Sequence, residues 1–121
     1  MSAGGEHGGV NAIESELLRR VADLDRAERE AIDGGRWDEV DDVIGAQKRL
    51  WRELMALAED EATADAAVEP LNALYRVRRR NHALIQHTCT ELRRQLAVAR
   101  AGAQRRSEGR TAYSSGDGRA A

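Results

Sequence analysis

Residues 37–58 read WDEVDDVIGAQKRLWRELMALA, and this stretch decides the fold because its apolar residues recur three and four positions apart. Such spacing aligns side chains along one face of an α-helix, as in the seam of a coiled coil. Val43, Leu50 and Leu57 widen the seam. The sequence therefore predicts a long amphipathic helix that packs against other helices. Its predicted seam consists of Trp37, Val40, Ile44, Gln47, Trp51, Leu54 and Ala58.

The residues before this stretch predict a first helix that begins near Asn11. Asn11 and Glu14 have the spacing of a capping box, in which each side chain accepts a hydrogen bond from a free backbone N–H. Gly34 and Gly35 predict its end, because glycine adopts a left-handed C-cap without steric cost. Residues 1–10 are rich in glycine and are predicted to be disordered. The predicted apolar face comprises Ile13, Leu17, Val21, Leu24 and Ala31, with Leu18 and Ile32 beside it.

A third helix is predicted around Pro70, the only proline in the chain. Because proline suits a first helical turn and is costly further inside, we expect this helix to begin near Glu69 and to run to about Arg100. A start at Asp65 with a kink is the alternative. Residues 102–121 are polar and glycine-rich, which predicts a flexible tail. The predicted inward face contains Leu71, Leu74, Asn81, Ile85, Thr88, Leu92, Leu96 and Ala99.

Three helices with short connections predict an all-α protein, an antiparallel up-down-up helical bundle with coiled-coil-like packing over residues 11–101 and with disordered termini. A chain of 121 residues has room for one domain. The chain has no Phe and few β-branched residues, which disfavours strands. A core so poor in aromatic rings contributes a net stability on the order of a few kcal/mol. This suggests that some apolar surface is kept for a partner.

Charge is unevenly distributed along the chain. Residues 1–70 carry 8 basic and 18 acidic side chains, whereas residues 71–121 carry 11 basic and 3 acidic ones. We interpret this as an acidic helical hairpin that packs beside a basic helix. Nucleic-acid binding is disfavoured, because no aromatic residue interleaves the arginines between 76 and 110 to stack on bases.

The sequence predicts a cytoplasmic protein that does not insert into a membrane. No apolar run approaches the ~20 residues of a membrane span. The first residues, MSAGGEHGG, lack the basic flank and apolar stretch of a signal peptide. The single cysteine, Cys89, fits a reducing compartment and excludes an internal disulfide.

No pattern in the sequence predicts catalysis, a cofactor or a metal. On a helix, His82 and His87 lie about 140° apart, whereas two metal ligands need a spacing of three or four residues. Cys89 lies on the wrong side of His87 to complete a site. The acidic residues of the first helix are predicted to form a solvated face; they are Glu14, Glu16, Asp23, Asp25, Glu28 and Glu30.

One enzyme class bears a faint resemblance to the chain, the small helical chorismate mutases. Residues 18–25, LRRVADLD, are similar to the opening of that fold. Its pocket binds a dicarboxylate through several cations, and here only Arg29 and Lys48 are suited to that role. The rest of the pattern does not fit, so we predict that the protein is not an enzyme.

Three segments resemble the FlgN-type flagellar export chaperones. Residues 35–54, GRWDEVDDVIGAQKRLWREL, resemble the family's turn and following helix, which carries a lysine before a leucine-rich stretch; Lys48 is the only lysine here. Residues 74–85, LYRVRRRNHALI, are similar to the family's asparagine and following aliphatic pair, with Asn81 at the asparagine. Residues 112–116, AYSSG, resemble the tyrosine-to-glycine signature that closes many members.

The resemblance implies a cytoplasmic chaperone of flagellar type III secretion. Such a protein binds the C-terminal helices of hook–filament junction proteins, keeps them soluble and export-competent, and delivers them to the export gate. Many members carry a second asparagine where this chain has Val77 and Arg78. Tyr113 is expected to contact the gate or the client. The client is expected to bind the third helix in an apolar groove that includes Asn81, Leu84, Ile85, Thr88, Leu92 and Leu96.

Three alternatives remain open from the sequence. The leucines of the third helix would be ordinary core residues if they faced the first two helices. The seam between Trp37 and Trp51 would serve a generic dimerising coiled-coil adaptor, in which two copies pair. A chaperone for the filament-cap protein belongs to a similar helical class.

Overall fold

The computed structural model describes residues 2–120, and it describes the side chains of residue 9 and of residues 11–109. Over these residues the chain contains helices and turns and no strand. The helices are α1 (Ser2–Asp33), α2 (Trp37–Glu59) and α3 (Ala64–Ala120). They pack against one another as an antiparallel bundle, which confirms the predicted all-α fold. The chain divides into two units, Met1–Leu84 and Ile85–Ala121, and the bundle core described below belongs to the first.

The turn between α1 and α2 is a Schellman motif built on two glycines. The Arg36 N–H donates to the Ala31 carbonyl over 2.9 Å, and the Gly35 N–H donates to the Ile32 carbonyl over 3.1 Å. Gly35 has a φ of 67°, in the left-handed region that favours glycine. The predicted end of the first helix is therefore confirmed. The Arg36 guanidinium binds the Glu39 carboxylate at 2.7 Å and so links the turn to the first turn of α2.

The start of α3 differs from the prediction. The helix begins at Ala64, so the predicted start near Glu69 is wrong and the earlier start holds. Pro70 lies inside the helix and is fully buried. The turn before α3 is closed by Thr63, whose hydroxyl donates to the Leu57 carbonyl over 2.7 Å. Ala66 is also buried. The hydrogen bond of Thr63 and the packing of Ala66 both stabilise the helix before Pro70. Together they outweigh the cost of the backbone hydrogen bond that the proline removes.

The core of the first unit is formed by two residues from each helix. Each helix contributes one of the leucines Leu17, Leu50 and Leu74, in chain order, and each of these side chains is at most 5% exposed. Trp51, predicted in the seam, is instead 38% exposed, and Ile13 is 40% exposed. The complete cluster is Leu17, Val21, Leu50, Leu54, Leu74 and Val77, with Leu24, Leu57, Leu71 and Ala73 packed around it.

The ends of the chain lie largely outside the described side chains. Helix α1 begins before the predicted cap at Asn11, and α3 continues through residues 102–109, beyond the end predicted near Arg100. The predicted disorder of residues 1–10 and flexibility of the tail concern mainly residues 1–8, residue 10 and residues 110–121. Their side chains are not among those described, and both statements stay predictions.

Candidate functional site

A cluster of charged and amide side chains lies inside the bundle. Glu28, Gln47 and Asn81 are each at most 1% exposed, and Asp25 is 7% exposed. Charged groups are seldom fully buried unless they are paired, because desolvation of an unpaired charge is costly. The burial of these groups therefore depends on the hydrogen bonds and ion pairs that they form with one another. The members of the cluster are Asp25 and Glu28 of α1, Gln47 of α2, and Arg78, Arg80 and Asn81 of α3.

Glu28 is the centre of this buried polar cluster. Its two carboxylate oxygens accept hydrogen bonds from Arg78 Nη1 at 2.9 and 2.7 Å. One of them also accepts from Gln47 Nε2 at 3.0 Å and from Asn81 Nδ2 at 2.6 Å. Arg78 Nη1 further approaches Gln47 Oε1 at 2.6 Å. One carboxylate thus joins all three helices, and its position fixes their relative register.

Asp25 forms the outer part of the cluster. Its carboxylate accepts from Asn81 Nδ2 at 2.9 Å and from Arg80 Nη2 at 2.6 Å, and Arg29 lies 3.1 Å away. Burial raises the pKa of Asp25, but the hydrogen bonds from Asn81 and Arg80 and the nearby positive charges outweigh burial and hold this pKa below its ordinary value. The group is therefore an ionised structural partner at neutral pH.

The lowered pKa of Asp25 predicts a loss of stability in acid. A carboxyl group whose pKa is lower in the folded state contributes stability above its unfolded pKa and loses it as the pH falls through the folded pKa. We expect Asp25→Asn to reduce the free energy of unfolding by about 1–3 kcal/mol at pH 7. The difference from the unsubstituted protein should shrink below about pH 4. Urea titrations between pH 7 and pH 3, followed by circular dichroism, measure both quantities.

Asp41→Asn is the matched control for this titration. Asp41 is exposed beyond the first turn of α2 and forms no ion pair among the described residues. Its substitution should change the stability by less than about 0.5 kcal/mol at pH 7. A constant difference between Asp25→Asn and the unsubstituted protein from pH 7 to pH 3 would contradict the assignment.

Asn81 belongs to this cluster and is not exposed to a client in this structure. The side chain is fully buried, and its Nδ2 group donates to both Asp25 and Glu28. The two carboxylates fix the orientation of the amide, because a flipped amide would turn its oxygen toward them. Among the described residues, Asn81 Oδ1 has no hydrogen-bond partner. The predicted direct contact of Asn81 with a client is corrected: the residue links α3 to α1.

The predicted solvated face of α1 is wrong at two positions. Asp25 and Glu28 follow Leu17 and Val21 at helical spacing and so share the buried face. The uneven distribution of charge along the sequence indicated these ion pairs. Arg78 of the basic helix binds Glu28 at 2.7 Å, and Arg80 binds Asp25 at 2.6 Å. This agrees with the predicted pairing of an acidic hairpin and a basic helix.

The other predicted client-binding residues lie further along α3. Leu84, the last residue of the first unit, is half-buried. In the second unit Ile85 and Thr88 are half-buried, whereas Leu92 is 47% and Leu96 is 49% exposed. These four residues follow one another at spacings of three and four and so share one face of the helix. We call Ile85, Thr88, Leu92 and Leu96 the apolar stripe. The side chain of Tyr113 is not among those described, so its expected contact with the gate or the client stays a prediction.

Neither a metal centre nor a membrane-spanning segment is found in the part of the chain that the structure describes. No group of three or more His, Cys, Asp or Glu side chains is arranged to hold a metal ion there. No described helix is long and apolar enough to cross a bilayer.

Comparison with protein-family models, with curated proteins and with solved structures gave no match.

Proposed function

We propose that this chain is an export chaperone that works by binding another protein and not by catalysis. The observation that carries the proposal is the apolar stripe on α3, where Leu92 and Leu96 remain about half exposed. The resemblance of residues 35–54, 74–85 and 112–116 to the FlgN-type chaperones supports a role in flagellar type III secretion. The proposed clients are hook–filament junction proteins, which the chain would hold in the cytoplasm and deliver to the export gate.

The stripe suits an amphipathic helix as its occupant. A client helix that places an apolar face on Leu92 and Leu96 removes both side chains from water, and Thr88 is small enough to allow close approach. Arg93 is exposed on the same helix, about 60° around the axis from Leu96, where it can meet acidic residues of the client. This mode of binding needs no chemistry beyond burial of apolar surface and charge pairing.

The burial of the α2 seam argues against an adaptor in which two copies pair through this seam. Val40, Leu50 and Leu54 are buried within a single chain, and Leu50 and Leu54 belong to a core cluster with residues of α1 and α3. They are not free to pair two copies in this structure. Dimerisation through the apolar stripe remains the competing use of that surface, and a filament-cap chaperone remains the competing choice of client.

Co-expression with the two junction proteins of the same genome tests the proposal. Each protein is expressed at full length and without its C-terminal helix, and complexes are analysed by size-exclusion chromatography with light scattering. We expect a complex only with the intact C-terminus. If neither protein co-elutes while this chain elutes as a dimer, the adaptor function replaces the chaperone function. A complex with the filament-cap protein alone would change the client.

Removing two leucines of the stripe should weaken client binding without unfolding the protein. Each half-exposed leucine that becomes fully buried contributes about 1 kcal/mol. The double substitution Leu92→Ala with Leu96→Ala should therefore raise the Kd for the client about thirty-fold. Isothermal titration calorimetry measures the Kd, and circular dichroism monitors folding.

Val98→Ala is the matched control for the stripe. Val98 is 64% exposed and lies on the opposite side of α3 from Leu92 and Leu96. The substitution truncates an apolar side chain that is more accessible than either leucine, so the Kd for the client should stay within about twofold. Equal losses from the control and from the stripe variant would show that binding does not depend on this face.

A further inference from the structure

A second surface, which none of the predicted sites includes, lies on the unit Met1–Leu84 and combines aromatic rings with cations. Two shallow depressions there share Arg78. The first, of about 270 Å³, is also lined by Gln47, Lys48, Trp51, Arg52 and Leu74. The second, of about 290 Å³, is also lined by Tyr75, Arg79 and His82. We call Lys48, Trp51, Arg52, Tyr75, Arg78 and Arg79 the cation–aromatic surface.

The aromatic rings on this surface are accessible. Trp51 is 38% and Tyr75 is 55% exposed, and they are two of only four aromatic residues in the chain. Leu74 is almost fully buried and forms part of the lining of the first depression. Exposed Trp and Tyr beside arginines are typical of the residues that dominate protein–protein binding. In a protein with so few rings, leaving two at one surface favours a binding role over a structural one.

Three of the four cations on this surface, Lys48, Arg52 and Arg79, form no ion pair among the described residues, whereas Arg78 is paired with Glu28. No acidic residue lines either depression. Lys48 and Arg52 form no ion pair among the described residues, although they are four positions apart on α2 and repel each other slightly. By contrast, Arg20 on α1 binds Glu53 at 2.8 Å. Arg79 lies over the Tyr75 ring at 5.9 Å. A chain with a net charge of −2 therefore has a locally positive, partly aromatic surface among its described residues.

We propose that the cation–aromatic surface binds an acidic peptide segment of a partner protein that also carries an apolar side chain. The apolar side chain would lie in the first depression against Trp51 and Leu74. Carboxylates on either side of it would pair with Lys48 and Arg52 along α2. Charge complementarity selects the acidic segment, and the aromatic ring selects for an apolar residue within it.

Two other occupants fit less well. In a symmetric dimer formed through this surface, each copy would present the same cations to the other, and like charges facing one another are unfavourable. A long nucleic acid would extend beyond the surface over a chain with 21 acidic residues, whereas a short acidic segment meets only the local cations. The site uses no residue of the apolar stripe, so the proposal does not depend on the export-chaperone function.

The two tryptophans of the full-length protein allow a direct test by nuclear magnetic resonance. Their indole N–H signals are assigned with Trp37→Phe, and the protein is titrated with three peptides of about ten residues. The first contains Asp and Glu around a central leucine, the second replaces the acids with Asn and Gln, and the third replaces the leucine with glycine. We expect the first peptide to shift the Trp51 signal saturably and to bind about ten-fold more tightly than the other two.

Charge-removal variants locate the binding site. Lys48→Gln with Arg52→Gln should weaken binding of the acidic peptide about ten-fold. Arg100→Gln with Arg105→Gln causes the same change of net charge at exposed positions of the second unit and should leave the affinity within about twofold. The proposal is overturned if the acidic peptide leaves Trp51 unshifted or if the neutral peptide binds equally well. Tighter binding of deca-thymidylate, measured in the same way, would assign the surface to nucleic acid instead.

Discussion

Replacing Glu28 with alanine is expected to lower the free energy of unfolding by about 3–5 kcal/mol. The carboxylate is fully buried and accepts hydrogen bonds from Gln47, Arg78 and Asn81. Its removal leaves three donors inside the bundle without their shared acceptor, and one of them is charged. Because the core is small, this loss approaches the whole stability of the domain. Urea unfolding followed by circular dichroism at pH 7 measures it.

Glu30→Ala serves as the control, because it removes the same side chain two positions along the same helix. Glu30 is exposed, and its side chain forms no hydrogen bond or ion pair among the described residues. Its substitution should change the stability by less than about 0.5 kcal/mol. If Glu28→Ala were as mild as this control, the buried polar cluster would not hold the three helices together.

A double-mutant cycle separates the ion pair from the rest of the cluster. Arg78→Ala alone leaves Glu28 buried with only the two amide donors. When both residues are replaced, no charge is left without its partner, so the double variant should be more stable than the sum of the single losses predicts. We expect a coupling free energy of about 1–3 kcal/mol. A coupling near zero would contradict the direct contact at 2.7 Å.

The fold could be predicted from the sequence because its signals are local. The spacing of apolar residues in α2 and the two glycines at the first turn each act within a few residues. The predicted start of α3 near Glu69 is wrong because the local preference of Pro70 for a first helical turn takes no account of the packing of Ala66, which only the tertiary structure supplies. Packing of neighbouring helices can outweigh a local preference of this kind.

The members of the buried polar cluster are each visible in the sequence, but their meeting is not. Gln47 interrupts the apolar seam of α2, Asn81 interrupts the inward face of α3, and Asp25 and Glu28 occupy the corresponding face of α1. Each interruption alone is typical of a weakened helix face. Because the helices lie side by side, the interruptions meet and satisfy one another. Recognising this requires the register between helices, which no single helix specifies.

The exposure of Trp51 had no sequence signal at all. Its spacing from Val40 and Leu54 fits the seam, but the buried face of α2 is centred on Gln47, Leu50 and Leu54. A rotation of the helix by a fraction of a turn decides whether such a residue is core or surface. Periodicity alone does not fix that rotation, because both positions lie within a wide apolar face.

Leu54→Ala is the second substitution with a large expected effect. Leu54 is fully buried among core residues of all three helices, so its truncation removes apolar contacts and leaves a cavity. We expect the free energy of unfolding to fall by about 2–5 kcal/mol. Chemical denaturation measures the loss, and the urea dependence should keep its slope if the variant still unfolds in one step.

Leu92→Ala makes the same chemical change at a residue that is 47% exposed. The alternative that Leu92 is an ordinary core residue predicts a loss of stability similar to that of Leu54→Ala. The chaperone proposal predicts a loss below about 1 kcal/mol together with weaker client binding. Leu54→Ala, measured under conditions where it remains folded, should retain its affinity for the client. If Leu54→Ala lowers only the stability and Leu92→Ala lowers mainly the affinity, Leu54 holds the bundle together and Leu92 binds the partner. Similar losses of stability in the two variants would show that Leu92 is a core residue.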